Sequence, residues 1–339
     1  MPFDPRAIST PFRMQPGLRR VAPDTPAAHA APPGSAAFAA KLAALQQELE
    51  AHRRPGDLRP HCMVGLPGSA IVPALRRVAK AAMRHCPEAL AWSEGRLHSP
   101  ALGLSCTPAG DLQATAVAHA IAHADARAVL EALPADHRAA GLLSLSLVED
   151  FALIDAATAS LPWMAVCLPS HWDPAEKVGQ DFRSVHAPVA DSQTVQAAGP
   201  QLLRLVSAGE AWERFVWTLT LWPGLDQHPL RHTRRPWPDE ASPAELLDLA
   251  ILRTERQGFL PILNSADTEE TGGSTGQAVF TIEVQARPLR QALAQEFAPA
   301  GVSPGQLADA LASMSEAVLA YRSLTPARDR LVAGLRALG

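Results

Sequence analysis

The chain has 339 residues, 47% of them hydrophobic and 19% charged, with a formal net charge of −4. This composition supports a buried core in one large domain or two modest ones, and it excludes disorder throughout. No long basic tract, no apolar run of the ~18 residues that span a bilayer and no secretion signal occur, so we expect a cytoplasmic protein without nucleic acid or membrane as partner.

The first part of the chain shows helical periodicity. Residues 1–36, rich in proline and alanine, predict a flexible, extended arm. Apolar residues at helical spacing then predict helices over 35–51, 70–85 and 112–133, each ending near a proline. We therefore expect residues 37–140 to be mostly helical.

The period of the apolar residues changes after residue 140. Strands are predicted over 151–155, 163–170, 214–222, 248–262 and 278–286, and helices over 192–207, 288–297, 303–321 and 326–338. The first two strands form a hairpin, and a short helix begins at Pro174. In the third strand Trp217 and Leu219 point one way, and Val216 and Thr218 the other.

This order of elements predicts an α+β fold. Two strands, intervening helices and three further strands is the order of a PAS-like sheet, with five antiparallel strands, flanking helices and a pocket between them. We expect an arm over 1–36, a helical region over 37–140, the sheet over 141–290 and C-terminal helices over 291–339.

Several motifs are present only in part. Residues 272–276 match GxSxG, but a strand instead of the required helix is predicted to follow. His119 and His123 have zinc-ligand spacing, yet Ala120 replaces the expected Glu, so a solvated pair is favoured. The cysteines form no CxxC or CxxCH motif, and neither GxGxxG nor GxxxxGK[ST] occurs. A metal–thiolate site, covalent haem and a nucleotide held by this chain are therefore not expected.

Several segments, in order, carry a resemblance to a known family. Residues 147–150 are similar to its V-Q-E-D, 167–172 with 175–179 to C-F-P-S-x-W…E-K-L-G, 185–189 to I-H-x-P-V, and 252–257 to L-R-V-E-R-Q. The segments at 11–14, 17–19 and 280–282 also match. The chain thus resembles alpha subunits of haem-dependent oxidative N-demethylase, also called dimethylamine monooxygenase.

The resemblance implies an oxidoreductase. Such subunits bind haem b non-covalently in a PAS-like domain, react with oxygen and oxidise a small N-methylated amine, releasing formaldehyde. Their electrons come from NADPH through partner reductase subunits that carry FMN and an iron–sulfur centre. A chain without a nucleotide motif of its own is consistent with this dependence.

A haem pocket needs an axial donor, apolar walls and cations for the propionates. We expect His186, pinned by the following prolyl segment, to be the axial iron ligand, with His171 as its competitor. The alternative for His186 is a helix-end histidine that bonds a backbone carbonyl. Arg214 and Lys177 are candidate propionate partners, as is Arg253, and Trp172 is a candidate wall.

Three residues are candidates for catalysis: Glu149, Arg253 and Glu255. On a strand Arg253 and Glu255 share a face and Arg256 points opposite, so a buried, purely structural Arg–Glu pair is the alternative. Glu149 and Asp150 begin a strand, where they could steer protons or cap backbone N–H groups.

Two departures from the family pattern leave other functions open. Val216 stands where the family's R-x-N-W has Asn, and an acidic, Gly/Ser/Thr-rich loop over 264–277 replaces a tight turn. The alternatives are a non-catalytic haem- or ligand-binding PAS-like module and a cofactor-free relative that keeps only the fold.

Overall fold

The computed structural model describes residues 4–22, 24–52, 61–116, 121–263, 273–294 and 303–339. Its helices are α1 (Ala36–His52), α2 (Val72–His85), α3 (Ala124–Ala132), α4 (Ala135–Ser146), α5 (Phe182–His186), α6 (Gln193–Val206), α7 (Pro243–Leu249), α8 (Leu289–Ala292), α9 (Pro304–Ala312), α10 (Glu316–Tyr321) and α11 (Arg328–Arg336). Its strands are β1 (Arg19–Arg20), β2 (Met63–Gly65), β3 (Ala91–Ser93), β4 (Arg96–Ser99), β5 (Leu104–Cys106), β6 (Leu112–Ala114), β7 (Asp150–Asp155), β8 (Ser160–Ala165), β9 (Trp212–Thr220), β10 (Ile251–Leu263) and β11 (Ser274–Pro288).

The larger sheet has the strand order β1-β9-β10-β11-β7-β8-β2. All neighbouring strands in it are antiparallel. The five strands predicted from the sequence form its centre, and the predicted hairpin is confirmed as β7–β8. The protein is therefore a mixed α+β fold, as predicted.

The two faces of this sheet are covered differently. The face that carries Trp217 and Leu219 packs on the C-terminal helices α7–α11 and, at its other end, on α2 and α4. The predicted alternation of β9 is thus confirmed, and Trp217 is a core residue. The opposite face is covered by α5, α6 and the segment between β8 and α5. We call this second face the polar face.

The region predicted to be mostly helical also contains a small antiparallel sheet, β3-β4-β5-β6. The predicted helix over 112–133 is wrong at its start, because Leu112–Ala114 forms β6. Helix α3 lies within the second half of the predicted range. Strands of three or four residues are too short to show alternation. Gly95 lies in the turn between β3 and β4 and Gly103 in the turn between β4 and β5, and both have positive φ angles. His119 lies outside the described residues.

The described residues of the N-terminal segment, predicted to be a flexible, extended arm, make contacts with the body of the protein. β1 pairs with β9, Arg19 forms an ion pair of 2.9 Å with Glu213, and the Phe12 ring lies edge-on to Trp217 at 6.2 Å. Further along, Ala30 forms a bridge with Leu147. Proline and alanine content did not reveal these contacts, because β1 is only two residues long.

The C-terminal part differs from the prediction in one respect. The helix predicted over 303–321 is two helices, α9 and α10, and Ser315 caps the second by accepting a hydrogen bond from the Val318 N–H. Most of the predicted loop over 264–277 lies outside the described residues, but Ser274 begins a strand. Among the described residues, no helix has the length and apolarity needed to cross a bilayer.

Candidate functional site

The polar face brings together charged side chains of two neighbouring strands. Arg253, Glu255 and Gln257 alternate along β10 and so point to the same side. In the β9–β10 register, Arg214 lies opposite Gln257 and Val216 lies opposite Glu255. The predicted shared face of Arg253 and Glu255 is therefore flanked by Arg214.

A chain of hydrogen bonds links these residues. Arg253 Nε donates to Ser170 Oγ at 2.8 Å, and Ser170 Oγ donates to Glu255 Oε1. From the other side, Arg214 Nε donates to Gln257 Oε1 at 2.6 Å, and Gln257 Nε2 donates to Glu255 Oε2 at 2.6 Å. Both series of hydrogen bonds thus end at the carboxylate of Glu255, which accepts one hydrogen bond on each oxygen.

Arg253 holds the segment that lies over this chain. It is 1% exposed, and its terminal nitrogens donate to the carbonyl oxygens of Gly224 at 3.4 Å and Leu168 at 3.3 Å. Burial lowers its pKa to about 10, while Glu255 acts in the opposite direction. Its donors are thus used to position Ser170 and the backbone on either side.

The polar face carries more positive than negative charge. Among the described residues, Arg214, Arg253 and Lys177 form no ion pair, and burial lowers the pKa of Arg214. The carboxylates of Asp150 and Asp226, which also act on Arg253, bind Lys41 at 3.1 Å and Arg231 at 2.6 Å. Glu255 is the carboxylate that acts on both Arg214 and Arg253, and the three cations of this face suit an anionic ligand.

His186 lies at the end of α5, and one of its ring nitrogens forms a hydrogen bond. Its Nδ1 is 2.8 Å from the Phe182 carbonyl oxygen, which can only accept, so Nδ1 carries the proton and Nε2 has a free lone pair. The ring lies against Phe182 with centroids 4.2 Å apart, and the His186 carbonyl accepts a hydrogen bond from Ser192 Oγ at 3.0 Å. The hydrogen bond from His186 to a backbone carbonyl, which is the structural alternative to iron ligation, is present. It leaves Nε2 able to bind a metal.

The electrostatics around His186 favour the neutral ring. Burial lowers its pKa, the hydrogen bond to Phe182 raises it, and Arg214 and Lys177 lower it further. A neutral imidazole is the form that binds a metal. Arg214 and Lys177 are thus close enough to His186 to act on the ring electrostatically.

His171, the competing histidine, lies near the Arg253 end of the hydrogen-bond chain. Burial lowers its pKa to about 4, and Arg234, Arg253 and His232 act in the same direction. Its backbone has φ +61°, and its N–H donates to the Gln227 carbonyl oxygen at 3.2 Å. It is therefore also a neutral imidazole, in a strained backbone conformation.

Gln227 is a site residue that sequence reasoning missed. It is 1% exposed, it forms a parallel bridge with Ser170, and both of its amide atoms lack a hydrogen-bond partner in the described part of the chain. A buried amide without partners is costly, so this side chain is suited to bind a polar molecule. No local sequence pattern marks it.

Ser170 and Gln257 were also missed as site residues. Gln257 could have been found from its spacing, since it is the next residue after Glu255 on the same face of β10. Ser170 could not, because its contact with Arg253 depends on how the segment after β8 folds over the sheet.

The apolar part of the polar face includes Trp172. Its ring packs with Ala152, Met164 and Val166, residues of β7 and β8 or adjoining β8. Trp172 also packs on the buried cluster that contains Leu168, whereas Trp217 lies on the opposite face of the sheet. The role of Trp172 as a haem wall stays a prediction.

Glu149 is not brought together with Glu255 and Arg253. Its Oε1 lies 2.7 Å from His29 Nδ1, and its Oε2 accepts from the His29 backbone N–H at 3.1 Å. Asp150 lies opposite Ile282, which lies opposite Gln257, so the preceding Glu149 points away from the face of Glu255. Asp150, its neighbour, accepts a hydrogen bond from the Leu168 N–H at 2.7 Å.

The comparisons with known proteins bear on the part of the chain that contains this site. A family model described as haem-dependent oxidative N-demethylase, alpha subunit-like, matches residues 125–332, which is more than half of the chain. The matched range contains β7–β11, the polar face and the C-terminal helices up to α11. No curated protein matches the chain.

Proposed function

The chain belongs to the haem-dependent oxidative N-demethylase alpha subunit-like family, and from this premise we propose that it is a haem-binding oxidoreductase that demethylates a small amine. One observation supports the choice of particular residues: His186 Nδ1 donates to a carbonyl oxygen and leaves Nε2 available, and the ring lies near Arg214 and Lys177, which form no ion pair with any residue that the structure describes. The order β8-β7-β11-β10-β9 of the central strands supports a PAS-like fold for this region.

The residues of the polar face fit a non-covalently bound haem b. His186 Nε2 would bind the iron, Arg214 and Lys177 would bind the two propionates, and Trp172 would supply an apolar wall. Arg214 and Lys177 would contribute two positive charges, which match the two propionates. Bound haem would supply the activation of oxygen at iron.

We assign to Glu255 the binding of the substrate amine. A protonated amine is a cation, and Glu255 is the acceptor to which every donor of the chain points. It would hold the substrate nitrogen and accept its proton. Gln257, Ser170 and Arg253 are positioning residues, because their hydrogen bonds fix the two oxygens of that carboxylate.

The reaction requires a partner. The N-methyl amine and one dioxygen molecule take up two electrons and two protons, and they yield the demethylated amine, formaldehyde and water. The two electrons must come from outside this chain. An NADPH-dependent reductase with FMN and an iron–sulfur centre, as in the family the chain resembles, would provide them.

A second candidate function rests on Val216. It lies directly opposite Glu255, at the position where the resemblance leads us to expect Asn, and it offers no hydrogen bond to that carboxylate. The chain would then be a haem- or ligand-binding PAS-like module without turnover. This candidate predicts a haem spectrum but no substrate-dependent oxygen uptake, whereas a cofactor-free relative predicts a colourless protein.

The test is formaldehyde release by haem-loaded protein supplied with a reductase, NADPH and a panel of methylamines. We expect one formaldehyde per oxygen consumed for at least one amine. Glu255→Gln should lower kcat/KM about 10- to 100-fold, because it removes a charged hydrogen-bond acceptor. Glu131→Gln, at an exposed position, is the matched control. Oxygen uptake that no amine changes, or equal activity of both variants, contradicts the proposal.

A further inference from the structure

A second cluster of ligating side chains lies apart from the hydrogen-bond chain of the polar face. It consists of His29, Glu149 and Glu283, each of which offers one ligand atom within 4.8 Å of the others. His29 Nδ1 lies 2.7 Å from Glu149 Oε1 and 3.5 Å from Glu283 Oε2. The proposed function uses none of these three residues.

Three separate parts of the fold hold the cluster together. His29 is fixed by its backbone, which donates to Glu149 Oε2 at 3.1 Å and accepts from the Val148 N–H at 3.0 Å. Glu283 lies on β11, where Gln285 Nε2 donates to its Oε1 at 2.8 Å. The ligand atoms therefore converge without reorganisation of the backbone.

The carboxylates of the cluster lie in the interior. The side chains of Glu149 and Glu283 are 2% and 8% exposed, and that of His29 is 23% exposed. Carboxylates with little exposure attract a bound cation more strongly than carboxylates at the surface, because water screens them less.

We propose that His29, Glu149 and Glu283 bind one divalent first-row cation, such as Mn²⁺ or Zn²⁺. One imidazole and two carboxylates form a ligand set that suits these ions. Ligands of a cation bound at ~2.1 Å lie about 3 to 3.5 Å apart, which the His29–Glu283 distance already meets. The shorter His29–Glu149 distance would open by a few tenths of an ångström. Such an ion would tie the N-terminal segment to β7 and β11.

The test uses the full chain, stripped with a chelator and dialysed against Mn²⁺ or Zn²⁺. Elemental analysis should find one ion per chain, counted separately from haem iron. At a free-metal concentration about 100 times the dissociation constant, the melting temperature should rise by about 5 °C. Glu283→Gln and His29→Asn should each weaken binding at least tenfold, while the exposed control Glu131→Gln should not.

Two results would overturn the proposal. One is a wild-type chain that takes up neither ion. The other is equal metal binding by wild type, Glu283→Gln and His29→Asn. If one variant does not fold, as judged by circular dichroism, the other decides. Because manganese or zinc is counted and not activity, the result is independent of the haem-dependent function.

Discussion

The partners of individual side chains decide what the residues of the polar face can do. His186 is able to ligate because its Nδ1–H donates to a carbonyl group and leaves the lone pair on Nε2, and Glu255 is the carboxylate on which donors converge from both sides. Arg253 lies on the same face as Glu255, yet its donors are used by Ser170 and backbone carbonyls. We therefore assign it to positioning.

His171 gives a prediction about pH. Its pKa in the folded protein is about 4, below the value of ~6.5 in an unfolded chain. The unfolded chain then binds the proton more readily, so stability is lost as the pH falls from about 6.5 toward 4. Between pH 7 and pH 5 the wild type should lose about 1 to 2 kcal/mol relative to His171→Asn. Urea unfolding at several pH values measures this difference.

Asn is the matched replacement because it tolerates the positive φ of this position. The comparison between variants at each pH removes the contribution of the other titrating groups. Stability curves of wild type and His171→Asn that stay parallel from pH 7 to pH 5 would contradict the assignment of a buried, neutral imidazole.

Among the secondary-structure elements, the sequence predicts the long ones, whose apolar residues recur with a regular period. β9, β10 and β11 were predicted because their alternation extends over many residues. The strands of the small sheet were not, since each has three or four residues. The same limit applies to the site. The i, i+2 rule places Arg253 beside Glu255, whereas Arg214 reaches Gln257 only through the register of two strands distant in sequence.

The docked N-terminal segment gives a prediction at this scale. Phe12 lies edge-on to Trp217, the Arg322 guanidinium lies 4.7 Å from the Phe12 ring centre, and the Phe12 N–H donates to Ser313 Oγ at 2.8 Å. Phe12→Ala should lower the free energy of unfolding by about 1 to 2 kcal/mol, because the ring is only partly buried.

Chemical denaturation measures the effect, with Arg13→Ala at the exposed neighbouring position as control. The control should change stability by less than about 0.5 kcal/mol. Equal stability of the two variants would mean that the segment does not pack on the C-terminal helices.

For the whole molecule, the main feature is the presence of two sites with different side chains. The polar face carries Arg214, Arg253 and Lys177, and the second cluster carries one imidazole and two carboxylates. The family match reaches from residue 125 to residue 332, so it includes the polar face but not His29. The two proposed ligands, an anionic haem and a divalent cation, correspond to these two sets of side chains.

The absorption spectrum of protein expressed with excess haem precursor tests the central claim most directly, for wild type, His186→Ala and His171→Asn. We predict a strong Soret band in the wild type, a band that is shifted or lost in His186→Ala, and a band that is retained in His171→Asn. A colourless wild type would contradict haem binding. A band unchanged in His186→Ala but lost in His171→Asn would contradict His186 as the ligand.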